Sequence, residues 1–249
     1  MDNMISDIMI SIIQFLDFDS KIMLVRSSKI YNFVLNYIYK IPKTRLNKNY
    51  KLKNNIKNLI NLRELNLSYN SSTNDDHIRL LTNINTLSLR GPNKITNNGL
   101  IILTNITDLD IGHNIIITDI GITKLTKLTR LVLKSNNNIT DNGVKNLTNI
   151  TDLDLSDNYI ITDNCLKKLI NITNLSLNNN YTIMDNGIEK LINITNLCLI
   201  DNLTITDNGI INLTNLIGLN LSYNNTITDN ALIKLHNCDI IDISQSMHV

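Results

Sequence analysis

Leu131-Val132-Leu133-Lys134-Ser135-Asn136, followed by Ile139-Thr140-Asp141-Asn142-Gly143-Val144 and then by Leu147 and Ile150, decides the architecture of the chain. The Leu-x-Leu alternation puts two aliphatic side chains on one face of a short strand and the residue between them on the other. Thr-Asp before Gly-aliphatic reads as a helix start, where the Asp or Thr oxygen accepts an orphan backbone N–H. Leu147 and Ile150 form an apolar pair leading into the next strand, Leu153-Asp154-Leu155. The unit is therefore one short strand and one short helix.

Working outward, the same strand recurs every 22 residues, from Leu65-Asn66-Leu67 and Leu87-Ser88-Leu89 through Leu219-Asn220-Leu221 to Ile241-Asp242-Ile243, giving nine copies without an insertion. A fixed period of this size marks a repeat architecture. One unit cannot bury its aliphatic face alone, whereas stacked units share one continuous core. Three residues after each second aliphatic stands an Asn: Asn70, Asn114, Asn136, Asn158, Asn180, Asn202 and Asn224. An amide has two donors and an acceptor oxygen, so these Asn can bridge buried backbone groups of adjacent turns and stack into a ladder. Pro92 and Ser246 depart from the pattern. Gly91-Pro92 removes both the ladder amide and a backbone donor, so the second turn is expected to be irregular.

The 249 residues include 44 Asn and 43 Ile, which resembles translation from an AT-rich genome, and the period shows that a subset of the Asn is placed. A net charge of +1 argues against nucleic acid or an anionic membrane as the main partner. No apolar run reaches the roughly 18 to 20 residues of a membrane span. Asp2 and Asp7 precede the apolar stretch Ile8 to Leu16, the wrong charge for a secretory signal, so a cytoplasmic or nuclear location is expected. Cys165, Cys198 and Cys238 form no CxxC pair and leave an odd count, which reads as reduced thiols. Asn-x-Thr triplets at Asn105, Asn149, Asn171 and Asn193 read as by-products of the repeat. His77, His113, His236 and His248 are dispersed, and the Gly and Asp series recur for helix-start reasons. No catalytic residue, metal site or cofactor is nominated.

The pattern L-x-x-L-x-L-x-x-N-x-x-I-T-D-x-G-I resembles the leucine-rich repeat superfamily over about three-quarters of the chain, in the subtype similar to repeats of F-box adaptor proteins. The resemblance implies an α/β solenoid of about nine 22-residue repeats over residues 61–249, with parallel strands inside an arc and short helices outside.

Residues 1–40 differ in composition: all three Phe lie here, while all eight Gly lie at or beyond Gly91. Apolar spacing predicts three short helices, the first carrying Ile8, Ile12 and Leu16 on one face, and the third ending before Pro42. The segment from Asp7-Ile8-Met9 through Leu24 and Ser28-Lys29 to Tyr31 resembles the F-box, with Met4-Ile5 where that family has Leu-Pro. That resemblance implies binding to a Skp1-like linker protein through Met4, Ile8, Ile12, Leu16 and Leu24. The alternative reading is a helical cap shielding the first repeat. Residues 41–60, rich in Lys, read as a basic linker and N-terminal cap.

In such a solenoid the residues flanking the strand aliphatics line the concave face. There the candidate partner-binding residues are Tyr69, Arg90, Asp108, Asp110, His113, Arg130, Lys134, Asp152, Asp154, Asp157, Asp201 and Tyr223. The central Asp and Arg neighbours can also simply satisfy one another, at about 0–1 kcal/mol per exposed pair. The implied function is a substrate-recruiting adaptor of a Skp1–cullin–F-box ubiquitin ligase holding an unknown protein substrate. The alternative is a protein-interaction solenoid without a ligase link.

Overall fold

The computed structural model describes residues 43–45, 62–235 and 238–241. The three expected helices of residues 1–40, and with them Met4, Ile8, Ile12, Leu16 and Leu24, lie outside the described residues. Ten strands pair in chain order in one parallel sheet. They are β1 Lys43–Arg45, β2 Glu64–Asn66, β3 Thr86–Ser88, β4 Asp108–Asp110 and β5 Arg130–Val132, then β6 Asp152–Asp154, β7 Asn174–Ser176, β8 Asn196–Cys198, β9 Gly218–Asn220 and β10 Asp239–Ile241. A single helical turn follows each of β2 to β9: α1 Asp75–Ile78, α2 Asn97–Leu100, α3 Asp119–Ile122, α4 Asp141–Val144, α5 Asp163–Leu166, α6 Asp185–Ile188, α7 Asp207–Ile210 and α8 Asp229–Leu232.

From β2 to β9 the register advances by the repeat, pairing Leu131 with Leu153 and Leu153 with Leu175. At both ends it falls one residue short. Lys43 pairs with Glu64, which makes the stretch read as linker and cap contribute a strand to the sheet. Ile240 rather than Ile241 stands opposite Leu219, correcting the frame expected for the last copy.

Strand residues alternate as the pattern requires: Leu109, Leu131 and Leu153 are buried, while Asp108 and Asp152 on the other face are half-buried. The second aliphatics, such as Leu133 and Leu155, join Ile139, Val144, Leu147 and Ile150 in a single core running the length of the solenoid. From β2 to β8 each strand is longer in hydrogen bonding than its three residues. Ser135 N–H donates to Ser156 O at 2.9 Å, and Asp157 N–H to Asn178 O at 2.9 Å. These residues belong to a column with positive φ, including Tyr69, His113, Ser135, Asp157, Asn179, Asp201, Tyr223 and Gly91. The left-handed region is costly for residues with a Cβ, and here it reverses the chain immediately before the ladder Asn.

The ladder Asn from Asn70 to Asn202 are buried, Asn224 is half-buried, and from Asn114 on each bonds backbone groups of its own and the preceding turn. Asn136 Nδ2 donates to Ile111 O at 2.9 Å and Asn114 O at 3.2 Å, and its Oδ1 accepts the N–H groups of Asn138 and Ile139. Asn180 and Asn202 repeat the arrangement one turn apart. At the second turn the rung is displaced by one residue. Asn93, next to Pro92, donates to Leu89 O at 2.7 Å and accepts Ile95 N–H at 3.0 Å, so the expected irregularity shrinks to a shifted amide.

A second ladder runs through the helix starts. Thr96, Thr140, Thr162, Thr206 and Thr228 are N-caps that each accept the backbone N–H two residues on. The following Asp does not cap its own helix. Asp119 accepts Thr140 N–H at 2.7 Å and Thr140 Oγ1–H at 2.6 Å from the next turn, and Asp185 does the same for Thr206. A Cβ on Gly143 would meet Asp119 Oδ1 at 2.6 Å, but Cys165 and Ala231 show that the turn can hold one, since Asp141 and Asp207 keep their bonds to Thr162 and Thr228. Cys165 occupies that position in α5, fully buried, and burial followed by the charge of Asp141 pushes its thiol up to about 12. It is a packing residue, inert as a nucleophile near neutral pH.

Candidate functional site

The open face of the sheet carries the first and third residue of each strand, so neighbouring turns place side chains in columns about 4.8 Å apart. In the first column Arg130 lies between Asp108 and Asp152. Its Nη1 reaches Asp108 Oδ1 at 2.9 Å and its Nε reaches Asp152 Oδ2 at 3.6 Å. Lys134 Nζ sits 3.6 Å from Asp157 Oδ2. Burial lowers the Arg130 pKa, but the charge and hydrogen bond of Asp108, with Asp152 and Asp110 beyond, outweigh it and leave the guanidinium above its ordinary value. The Asp152 carboxyl is also held above its ordinary value. Burial is the main cause and Asp108 and Asp154 add to it, against the pull of Arg130. Protonated Asp152 is thus favoured by folding, so its contribution to stability is present below the ordinary carboxylate range and fades as pH rises through its raised pKa. Asp108 takes the closer contact with Arg130, leaving Asp152 the weaker partner.

Beyond Asp152 the face changes character. A trough of about 360 Å³ runs from Arg130 to Asn220, with Ser176, Cys198 and Gly218 supplying the small side chains that open it. Leu153, Leu175 and Leu197 line it as well, and Asn174, Asn196 and Asp154 give it polar groups. Asn196 Nδ2 donates to Asn174 Oδ1 at 2.8 Å, while Asn196 Oδ1 accepts no hydrogen bond among the described residues. Asn220 Oδ1 is used by Ser222, and its Nδ2 has no acceptor among the described residues. These half-used amides face an open depression, which is the chemistry of a recognition surface.

A larger groove of about 690 Å³ runs along the edge that precedes the strands, past Asn149, Asn171, Asn193 and Asn215. Each of its amides spends an Nδ2 hydrogen on the preceding turn. Asn149 Nδ2 donates to Thr126 O at 2.9 Å, and Asn171, Asn193 and Asn215 repeat this bond to the preceding turn. Thr151 and Thr173 hydroxyls donate likewise to Thr129 O and Thr151 O. The triplet Asn therefore tie turns together.

The structure brings together Asp108, Arg130 and Asp152, and separately Lys134 and Asp157. Asp110 is tied to Ser88 Oγ at 3.3 Å and to Gly112 N–H at 2.9 Å, and Asp154 holds Ser156 N–H. Between those two carboxylates Val132 is only 4% exposed. Tyr69, His113, Asp201 and Tyr223 stand in the positive-φ column at the rim, spread over several turns. His113 lies in no ion pair among the described residues, and Arg90 in none either. Asn174, Ser176, Asn196, Cys198, Gly218 and Asn220 were not among the nominated residues. The signal that could have found them is the run of small residues in adjacent rows. Among the described residues no three His, Cys, Asp or Glu group to hold a metal ion, and no helix is long and apolar enough to cross a membrane.

The leucine-rich-repeat family pattern matches residues 124–147 and 212–235. No curated protein matches the chain significantly. Among solved structures, internalin C2 of Listeria monocytogenes is 28% identical with a TM-score of 0.59, the alignment covering 75% of this chain and 83% of that one. Internalin F of the same organism is 23% identical with a TM-score of 0.64, over 91% of this chain and 75% of that one. A leucine-rich-repeat protein of Leptospira interrogans shares 21% identity and a TM-score of 0.62, over 87% of this chain and 58% of that one. With the shared parallel sheet, the helical turns and the two matched segments, the 22-residue units of this chain are leucine-rich repeats stacked as a solenoid.

Proposed function

We propose that the solenoid is a protein-recognition scaffold and that its open sheet face, from Asp108 to Asn220, holds the partner. The observation that carries this reading is the trough beside Arg130, lined by amides with unused donors and acceptors. The partner would meet an ion lattice at one end and a neutral amide surface at the other. Reversing charge with Arg130→Glu and Lys134→Glu is expected to weaken partner binding at least tenfold while the cooperative unfolding transition stays in place. Losing two cations and placing four or more carboxylates together changes the field of this face far more than it changes the core. Binding of an identified partner unchanged in the double variant would count against the surface.

The finer reading is that residues 1–40 couple this scaffold to a Skp1-like linker, making the chain a substrate-recruiting adaptor of a ubiquitin ligase. What supports it is the sequence alone: the F-box resemblance set directly before repeats of the I-T-D-x-G type. Co-expression with a Skp1-type protein and size-exclusion chromatography tests it. A co-eluting complex is expected for the native chain, and Ile12→Glu or Leu16→Glu should abolish it, since either buries a charge in an apolar contact. If no complex forms, the N-terminal segment is the helical cap and the scaffold acts without a ligase.

A further inference from the structure

The rim that follows the strands carries an apolar ridge. The residue after each ladder Asn forms a column that reads Ile115, Asn137, Tyr159, Tyr181, Leu203, Asn225. Tyr159 and Tyr181 are 45% and 42% exposed, with rings 6.2 Å apart between centroids and within 7° of parallel. Leu203 and Ile160 extend the exposed apolar surface on either side, and Asn137 and Asn225 end it. Neighbouring exposed aromatics on a repeat, stacked rather than scattered, mark a contact surface more than ordinary surface composition does.

The charges beside the ridge say what would cover it. In the adjacent positive-φ column stand Asp157, Asn179 and Asp201. Asp157 is met only by Lys134, at 3.6 Å, and Asp201 has no ion-pair partner among the described residues. Desolvation is the main cause that holds the Tyr181 hydroxyl above its ordinary pKa, and the nearby charges of Asp201 and Asp157 add to it. A ring face attracts a cation through its quadrupole, and a guanidinium additionally stacks flat on it while bonding a carboxylate at the ring edge. The same carboxylates repel phosphate.

We propose that Tyr159 and Tyr181, flanked by Asp157 and Asp201, form a docking ridge for an arginine-bearing polypeptide segment of the partner. The proposal rests on the protein-recognition reading for the class of ligand, and it concerns a surface separate from the trough. The probe is a short fluorescent peptide alternating Gly with Arg, titrated into the full chain at low salt and read by anisotropy. Saturable binding is expected, weaker for the Gly-Lys counterpart and absent for the Gly-Glu counterpart. Tyr159→Ala with Tyr181→Ala should cost about tenfold in affinity, and Tyr181→Phe should cost little because the ring face remains. Asp157→Lys with Asp201→Lys should abolish binding, whereas Arg130→Glu alone, whose ion-pair partners are Asp108 and Asp152 and not the ridge carboxylates, should leave it, separating this ridge from the open face. Unchanged affinity in the double Ala variant overturns the proposal. So does binding of oligouridylate that the Ala variant loses, or a self-association in sedimentation velocity that the same variant abolishes.

Discussion

Replacing Asn180 by Ala is expected to lower the unfolding free energy by about 2–4 kcal/mol, among the largest effects available to one polar residue in this chain. Asn180 Nδ2 donates to Leu155 O and Asn158 O at 3.0 and 2.7 Å, and its Oδ1 accepts the N–H groups of Thr182 and Ile183 at 3.1 and 3.0 Å. Leu155 O keeps a second donor in Asn158 N–H, so that carbonyl survives the change. Asn158 O and the buried Ile183 N–H lose their partners, and each orphaned group costs about 1–3 kcal/mol. Asn142→Ala is the matched control, because Asn142 is exposed on α4 and bonds only its neighbourhood. Its substitution should change stability by about 0.5 kcal/mol or less. Urea unfolding followed by circular dichroism separates the two, and hydrogen exchange at Ile183 localises the loss to one turn of a quasi-one-dimensional stack. Equal midpoints for the two variants would mean that the ladder does not hold the turns together.

Asp185→Ala is expected to cost about 2–3 kcal/mol, since the carboxylate receives both Thr206 N–H and Thr206 Oγ1–H, at 2.7 and 2.6 Å, and hydrogen bonds to a charged group are the stronger kind. The chain contains its own control. In α2 an Asn stands at this position, and Asn97 accepts Thr118 N–H at 2.9 Å while donating to Thr118 Oγ1 at 2.8 Å. Asp185→Asn should therefore cost about 1 kcal/mol or less, the threonine hydroxyl turning round to accept. If Asp185→Asn proves as damaging as Asp185→Ala, charge rather than bonding between turns is what this column supplies.

These two columns show what sequence can and cannot carry. The aliphatic alternation and the 22-residue step are local and repeated, so the sheet, the helical turns and the buried Asn were all legible from spacing. The Asp column was legible as a series but not in its role. Helix-start Asp suggests a cap, yet Thr140 takes the cap and Asp119 bonds across 21 residues to the next turn. That contact exists only once the stacking distance is known. The displaced rung at Asn93 was hidden for a related reason: Pro92 holds the expected position, and only the folded turn brings the neighbouring amide to Leu89 O. On the open face the charged residues drew attention, and Arg130 does bridge Asp108 and Asp152. The trough beside them is made by what is missing from Ser176, Cys198 and Gly218, a shape that no single residue announces.

Under the proposed function a protein partner lies on the open face. A photo-crosslinking residue in place of Asn196, at the centre of the trough, tests this directly against the same residue in place of Asn142 on α4, with the full chain expressed in cells and adducts identified by mass spectrometry. Protein adducts are expected from the Asn196 position that Arg130→Glu with Lys134→Glu removes, and none in common from the Asn142 position. Adducts from the Asn142 position alone, or the same adducts from both, would contradict that reading.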